Sequence, residues 1–249
     1  MTDRNLKDYE TKYEKQPFEE FQVLYRRKKI KEFLQSYKHD CLLEIGCGLN
    51  PIFNDVDSFK ELYIVEPAGL FYNNALQKSK ALAKKDSISI FNELLENCVE
   101  KLSSERFDFI LLSSLLHEVP EPKNLLKQVY KLCSQDSILH INVPNAKSFH
   151  RLLAVEMGLI KNEHQKSENN IMLQQQTIFD IETLAELTEQ CGFKIVERGS
   201  YFLKPFAHSQ MAEMFKLGLI TIQMLDGFYN MVKYMPDLGS EIYVNVVRK

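Results

Sequence analysis

Leu42-Leu43-Glu44-Ile45-Gly46-Cys47-Gly48-Leu49-Asn50-Pro51 is the stretch of this chain best equipped for chemistry. An apolar run with strand character ends in a glycine turn, and glycine lets a ligand approach the backbone where a Cβ would clash. The next apolar run ends in Val65-Glu66-Pro67, with Glu66 lying 18 residues beyond Gly48. A carboxylate there is well placed to accept both ribose hydroxyls of a nucleoside lying across the strand ends. A lone G-x-G is often an ordinary tight turn; its pairing with Glu66 is what points to a nucleoside.

Position 51 bears on which nucleoside. The dinucleotide fingerprint G-x-G-x-x-G needs a third glycine there, for close packing at a helix whose N-terminus faces a pyrophosphate. Pro51 stands in its place. S-adenosylmethionine carries adenosine and an amino-acid tail but no phosphate, so the departure favours it. Two other readings stay open on the residues alone: an NAD-dependent oxidoreductase, and a non-catalytic module that keeps the cofactor fold.

Further candidates lie downstream. His117 follows the fourth apolar run, at the sheet edge where cofactor and acceptor should meet. It reads as a general base or as a structural histidine bonding a nearby loop. Pro120 spoils the helical H-E-x-x-H arrangement after His117-Glu118, so no metal site is expected. Asn145 follows Pro144 in a predicted turn. His150-Arg151 opens a predicted helix, where Arg151 either grips an anionic acceptor bidentately or forms a surface ion pair. Tyr201, Lys204 and His208 surround Pro205 and either close the acceptor pocket or shape a turn. Gln176, with Gln174 and Gln175, belongs to a polar lid or to a plain loop.

The elements that must position these groups follow from periodicity. Strands are expected at Cys41–Ile45, Leu62–Glu66, Ser87–Phe91, Phe107–Leu112, Ser137–Val143, Lys194–Leu203 and Glu241–Val247. Helical patterns cover residues 18–37, Leu70–Lys84, Lys123–Cys133, Ser148–Leu159 and about Ser209–Lys233, with Asp180 and Gly192 bounding one more. Strands alternating with helices imply βαβ units and a parallel sheet covered on both faces. A hairpin-like pair completes it. The run Arg26-Arg27-Lys28-Lys29 reads as a solvated helix face, and residues 161–176 as a polar loop or lid.

At 249 residues, 45% hydrophobic and 26% charged, the chain suits one α/β unit: a helical segment over 1–38, a cofactor-binding core over 39–145, and an acceptor-side part over 146–249. The net charge of −3 gives no electrostatic reason to expect nucleic acid. No apolar run nears the ~20 residues of a membrane span, and the polar Met1–Lys15 lacks the apolar core of a signal peptide. Five cysteines without C-x-x-C spacing read as reduced thiols of a cytoplasmic protein.

From about Tyr25 to Lys249 the chain resembles the class I S-adenosylmethionine-dependent methyltransferases. LLEIGCG matches their first motif, Glu66 their acidic ribose position, and Phe107–Ile110 with Ser113–Val119 their fourth-strand motif. The resemblance implies a Rossmann-like seven-stranded sheet in order 3-2-1-4-5-7-6, strand 7 antiparallel, with helices on both faces. It implies Glu44, Gly46 and Gly48 around the methionine part of the cofactor, Glu66 on the ribose, and Pro67 and Ala68 on the adenine. Asn92, Glu93 and Leu94 stand at the usual adenine contacts, though the family's aspartate there is replaced by Glu93 or Asn92. Ser113 and Ser114 would lie beside the reactive methyl. Tyr25 and Arg26 would reach the cofactor carboxylate or belong to the helix surface. The blocks VPNAKSFHRLLAVEMGLI, QQQTIFD, GSYFLKPFAHSQM and LGSEIYV are similar to methyltransferases of nucleotide-sugar and capsular or surface-polysaccharide pathways, including those of O-methyl phosphoramidate decoration. The acceptor implied is a small molecule.

Overall fold

The computed structural model describes residues 5–13 and 16–249; positions 1–4 and 14–15 of the Met1–Lys15 stretch lie outside the described residues. The apolar runs pair into one sheet of β1 (Cys41–Ile45), β2 (Glu61–Val65), β3 (Ile88–Phe91), β4 (Phe107–Ser113), β5 (Cys133–Pro144), β6 (Phe193–Tyr201) and β7 (Glu241–Arg248). Their order is β3-β2-β1-β4-β5-β7-β6. The first five strands run parallel, and β7 lies antiparallel between β5 and β6. This is the Rossmann-like order that the resemblance implies.

Strand alternation sends successive side chains to opposite faces. Leu43, Ile45, Ile110, Leu112, Leu139 and Ile141 build one core with α4 (Leu95–Leu102), α5 (Pro122–Leu132) and α8 (Ile181–Gln190). Leu42, Ile64, Phe109 and Leu111 build the other, with α2 (Glu19–Ser36), α9 (His208–Lys216) and α10 (Ile222–Asn230). The remaining helices are α1 (Leu6–Tyr13), α3 (Gly69–Ser79), α6 (Phe149–Glu156) and α7 (Glu168–Met172).

Several expectations are corrected. Arg26 and Arg27 are buried, because α2 packs on the sheet where Glu241 and Glu44 neutralise them. Only Lys28 and Lys29 keep the solvated, ion-paired role, with Asp226 and Glu32. The segment from Ser209 to Lys233 is two helices. Gly218, at φ +72°, ends α9, and the Thr221 hydroxyl accepts the Met224 amide at 3.3 Å to cap α10. The polar 161–176 stretch contains α7, opened by a Ser167–Asn170 capping box. The helix at Leu70–Lys84 stops at Ser79. Sequence periodicity missed α1 and α4, each only 8 residues long.

Between β5 and β7, His140 donates through Nδ1 to Asn245 Oδ1 at 2.7 Å. Burial lowers its pKa from 6.5 to about 4. The unfolded chain therefore binds this proton more tightly than the folded one. Stability from neutral His140 is complete above its unfolded pKa of 6.5 and is lost as the pH falls toward about 4, a total of about 3 kcal/mol. Denaturant unfolding across that window is expected to show this acid dependence, and a His140→Asn variant to lack it.

Candidate active site

At the C-terminal edge of β1 the chain turns through Gly46 (φ +76°) and Gly48 (φ +55°), the left-handed region that glycine adopts without strain. A Cβ on Gly46 would also stand 3.0 Å from Leu115 Cδ2. Glu66, just past β2, holds this turn to its own. Its Oε2 accepts the Gly48 amide at 3.0 Å and its Oε1 the Ala68 amide at 2.9 Å. Burial pushes its carboxyl up, against the opposing pull of those amides.

The β1, β2 and β4 ends enclose a cavity of about 540 Å³. Its wall runs through Ile45–Asn50, Val65–Ala68, Leu94–Asn97, Ser113–Leu115 and Glu118–Glu121, with Arg26 and Arg27 from α2. Gly46, Gly48, Glu66, Pro67, Leu94, Ser113 and Ser114 thus come together around one cavity.

Other expected cofactor residues sit elsewhere. Glu44 shares the α2-facing side of β1 with Leu42, so its oxygens accept Arg27 Nη2 at 2.9 Å and the Ile52 amide at 2.8 Å. It braces the loop after Gly48 from behind. Tyr25 lies one residue off the wall, stacked on Phe202 at 4.4 Å. Asn92 donates to the Glu66 and Pro67 carbonyls at 2.9 and 3.1 Å, fastening the β2 turn. Glu93 pairs with Lys101 at the surface.

Helix α1 roofs the cavity with Leu6, Tyr9 and Tyr13. The Tyr9 hydroxyl donates to Glu118 Oε1 at 2.9 Å, and Glu10 accepts the Leu70 amide at 2.9 Å. Gln174 and Asn5 exchange two hydrogen bonds of 3.0 Å, joining α1 to the α7 segment. That segment is anchored in turn where the Gln176 and Thr177 amides donate to the His117 carbonyl at 2.9 and 3.1 Å. Sequence reasoning missed this roof. His117 itself stands behind the wall, its Nε2 3.8 Å from Glu118 Oε1. Glu118 is the residue that lines the cavity, and its place directly after His117 at the β4 edge was the signal available.

The acceptor-side candidates divide. Asn145 is buried away from the cavity wall, its amide donating to the Asp237 and Gly239 carbonyls at 2.9 Å each. Arg151 is tied to the loop, its Nε and Nη2 donating to the carbonyls of Glu163 and Gln165. Gln176 bonds back to the Gln174 carbonyl. Tyr201 is buried and donates to Glu241, the hub of a polar core. Arg26 Nε sits 3.0 Å from each Glu241 oxygen, and Gln22 and Asn142 add amide donors. Lys204, His208 and His150 form a separate group near Glu19.

A glycine turn and a facing carboxylate, at the crevice where the strand order reverses about β1, make this a class I methyltransferase fold. The chain belongs to the methyltransferase-domain family, which it matches over residues 18–198. Solved structures share the fold. One is a Thermotoga maritima S-adenosylmethionine-dependent methyltransferase described as a possible histamine N-methyltransferase. It is 18% identical over 92% of this chain and 90% of its own, with a TM-score of 0.59. Another is the plantazolicin methyltransferase BamL, solved with S-adenosylhomocysteine, at 17% identity, 93% and 88% coverage and a TM-score of 0.58. The N-methyltransferase NodS of Bradyrhizobium japonicum, also with S-adenosylhomocysteine, gives 13% identity, 94% and 89% coverage and 0.54. None of the curated proteins compared with it matches the chain.

The protein is therefore a methyltransferase whose cofactor is S-adenosylmethionine. The side-chain-free turn at Gly46 and Gly48, the Glu66 carboxylate at its edge and the cavity volume fit that molecule. Among the described residues no helix is long and apolar enough to cross a membrane, and no group of three or more His, Cys, Asp or Glu could hold a metal.

Proposed function

We propose that this enzyme transfers the methyl group to an oxygen of a small, polar, anionic or nucleotide-linked acceptor. The observation that carries the cofactor's part in this reading is the Gly46–Gly48 turn joined to Glu66 in the wall of the cavity. In this reading Gly46 and Gly48 admit the methionine part to the backbone, and Glu66 accepts the ribose hydroxyls. Pro67, Ala68 and Leu94 border the adenine, and Ser113 and Ser114 flank the reacting centre. When bound, the cofactor supplies a methyl group already activated by its sulfonium.

The protein's task is then alignment and exclusion of water, and positioning of that kind is worth about 7–11 kcal/mol of barrier. Tyr9, Tyr13 and Leu6 close the cavity over the reactants. An anionic acceptor oxygen needs no base. A sugar hydroxyl does, and Glu118 in the wall is better placed for that than His117 behind it. The C-terminal blocks similar to capsular and surface-polysaccharide methyltransferases support that pathway as the setting, with the phosphoramidate methyl step as its narrowest form.

Calorimetric titration with S-adenosylmethionine, S-adenosylhomocysteine and NAD tests the site. Saturable binding of the first two and none of NAD is expected. Gly46→Arg is expected to abolish binding in a protein that still folds, because a side chain there enters the turn and strikes Leu115. Undiminished binding to Gly46→Arg would sink the assignment. Transfer to nucleotide-linked phosphoramidates or sugars, against amine acceptors, separates the O-methyl reading from N-methylation.

A further inference from the structure

Beyond the Arg26 side of the cavity lies a group of nitrogen side chains that, among the described residues, no carboxylate pairs with directly. Lys204, in the loop after β6, is 1% exposed. Its Nζ lies 3.2 Å from both ring nitrogens of His208, the first residue of α9. Among the described residues no carboxylate comes within ion-pairing distance of it. His150, from α6, completes the group, and its Nδ1 is buried without a hydrogen-bond partner. The two histidines are half-buried, and Lys204 is buried against His208.

The nearest carboxylates are already engaged. Glu241 is gripped by Arg26 and receives Tyr201, Gln22 and Asn142. Glu19 meets Arg26 Nη1 at 3.4 Å and the Tyr13 hydroxyl at 3.2 Å. Both act on Lys204 only from a distance. Since Arg26 and Tyr13 line the cavity and Glu19 bonds to both, the group adjoins the cavity on its Arg26 and Tyr13 side. Leaving a buried imidazole nitrogen unmatched, beside an amine whose only partner among the described residues is another nitrogen side chain, is costly unless a ligand matches them.

We infer that Lys204, His208 and His150 form a seat for an oxyanionic group of the acceptor, phosphoryl or carboxylate, holding it while its reacting oxygen extends into the methyl-transfer cavity. This rests on the reading of a small anionic acceptor above and names the residues that select it.

The electrostatics agree. Burial lowers Lys204 from 10.5 to about 7, against the pull of Glu19 and Glu241. Burial, then Lys204, His208 and Arg151, hold His150 neutral; burial, then Lys204 and Arg26, do the same for His208. An arriving anion favours the ammonium, so binding near and above neutral pH takes up a proton.

The test titrates inorganic phosphate, and separately acetate, into protein saturated with S-adenosylhomocysteine, in two buffers of different ionisation enthalpy. Wild type is expected to bind one of the anions with proton uptake; phosphate or acetate as the tighter ligand assigns the group. Lys204→Met is expected to weaken that binding about tenfold or more and to abolish the proton uptake. His208→Gln, which keeps a polar side chain, should weaken it less. S-adenosylhomocysteine affinity, unchanged in both variants, reports that they fold. Normal S-adenosylhomocysteine binding with no anion binding, or with equal anion binding to Lys204→Met, overturns the seat alone. Failure of wild type to bind S-adenosylhomocysteine withdraws the proposed cofactor site and acceptor reading, and the seat with them.

Discussion

Replacing Glu66 by alanine is expected to weaken S-adenosylmethionine binding about a hundredfold or more while the protein stays folded. Hydrogen bonds to a charged group contribute about 1.5–3 kcal/mol each, and two ribose hydroxyls on one carboxylate make the loss multiplicative. The substitution also releases the Gly48 and Ala68 amides, so the turn that admits the ligand loses its fastening to β2. Folding should suffer less than binding, because burial already works against this carboxylate's charge. Asn92→Ala is the useful control. It removes bonds to the Glu66 and Pro67 carbonyls from the same turn without touching the carboxylate, and a much smaller loss is expected. Calorimetry on both variants checks the pair. Equal losses would mean that Glu66 acts only by shaping the turn.

The largest effect on stability is expected from Arg26→Met. Glu241 is 2% exposed, and Arg26 is its only cationic contact among the described residues. Removing one partner of a buried pair typically costs about 3–5 kcal/mol, since the remaining charge is left uncompensated. Burial pushes Glu241 up, but the Arg26 guanidinium outweighs it and holds the carboxyl below its usual 4.5. The pair's contribution is therefore present above the unfolded carboxylate pKa and is lost as the pH falls through the folded one. In Arg26→Met the carboxyl can protonate instead, so the deficit against wild type should shrink in acid. Adding Glu241→Gln should recover part of it at neutral pH. Denaturant unfolding at neutral and acid pH, on the single and double variants, measures both; a deficit that persists with Glu241→Gln would place the cost in packing.

These two residues also mark where sequence reasoning succeeded and failed. Glu66 was legible because its role depends on local order: a strand, a turn and an acid at the next strand end. Arg26 was legible as a cavity residue but not as a buried one. Its partner is 215 residues away, and four adjacent basic residues look alike until α2 is docked on the sheet. Glu44 failed for the opposite reason. It adjoins the glycine turn in the chain, yet strand alternation turns it toward α2, where Arg27 occupies it. The break at Gly218 and Thr221 was written in residues that end and begin helices. It was overlooked because the apolar spacing continues through it.

By itself the sequence determined the strands, their alternation with helices and the glycine turn facing Glu66, while the resemblance of its motifs implied the sheet order and the cofactor. Those features arise from side-chain period, glycine backbone freedom and short-range spacing, which act within a few tens of residues. Only the tertiary structure decided which polar groups face the ligand and which face one another. Roofing by α1, the placing of Glu118 rather than His117 in the cavity wall, the bonding of Arg151 to its own loop and the meeting of Lys204 with His208 all depend on packing. A buried charge takes its character from its nearest compensating partner, and that partner is set by how the helices dock on the sheet.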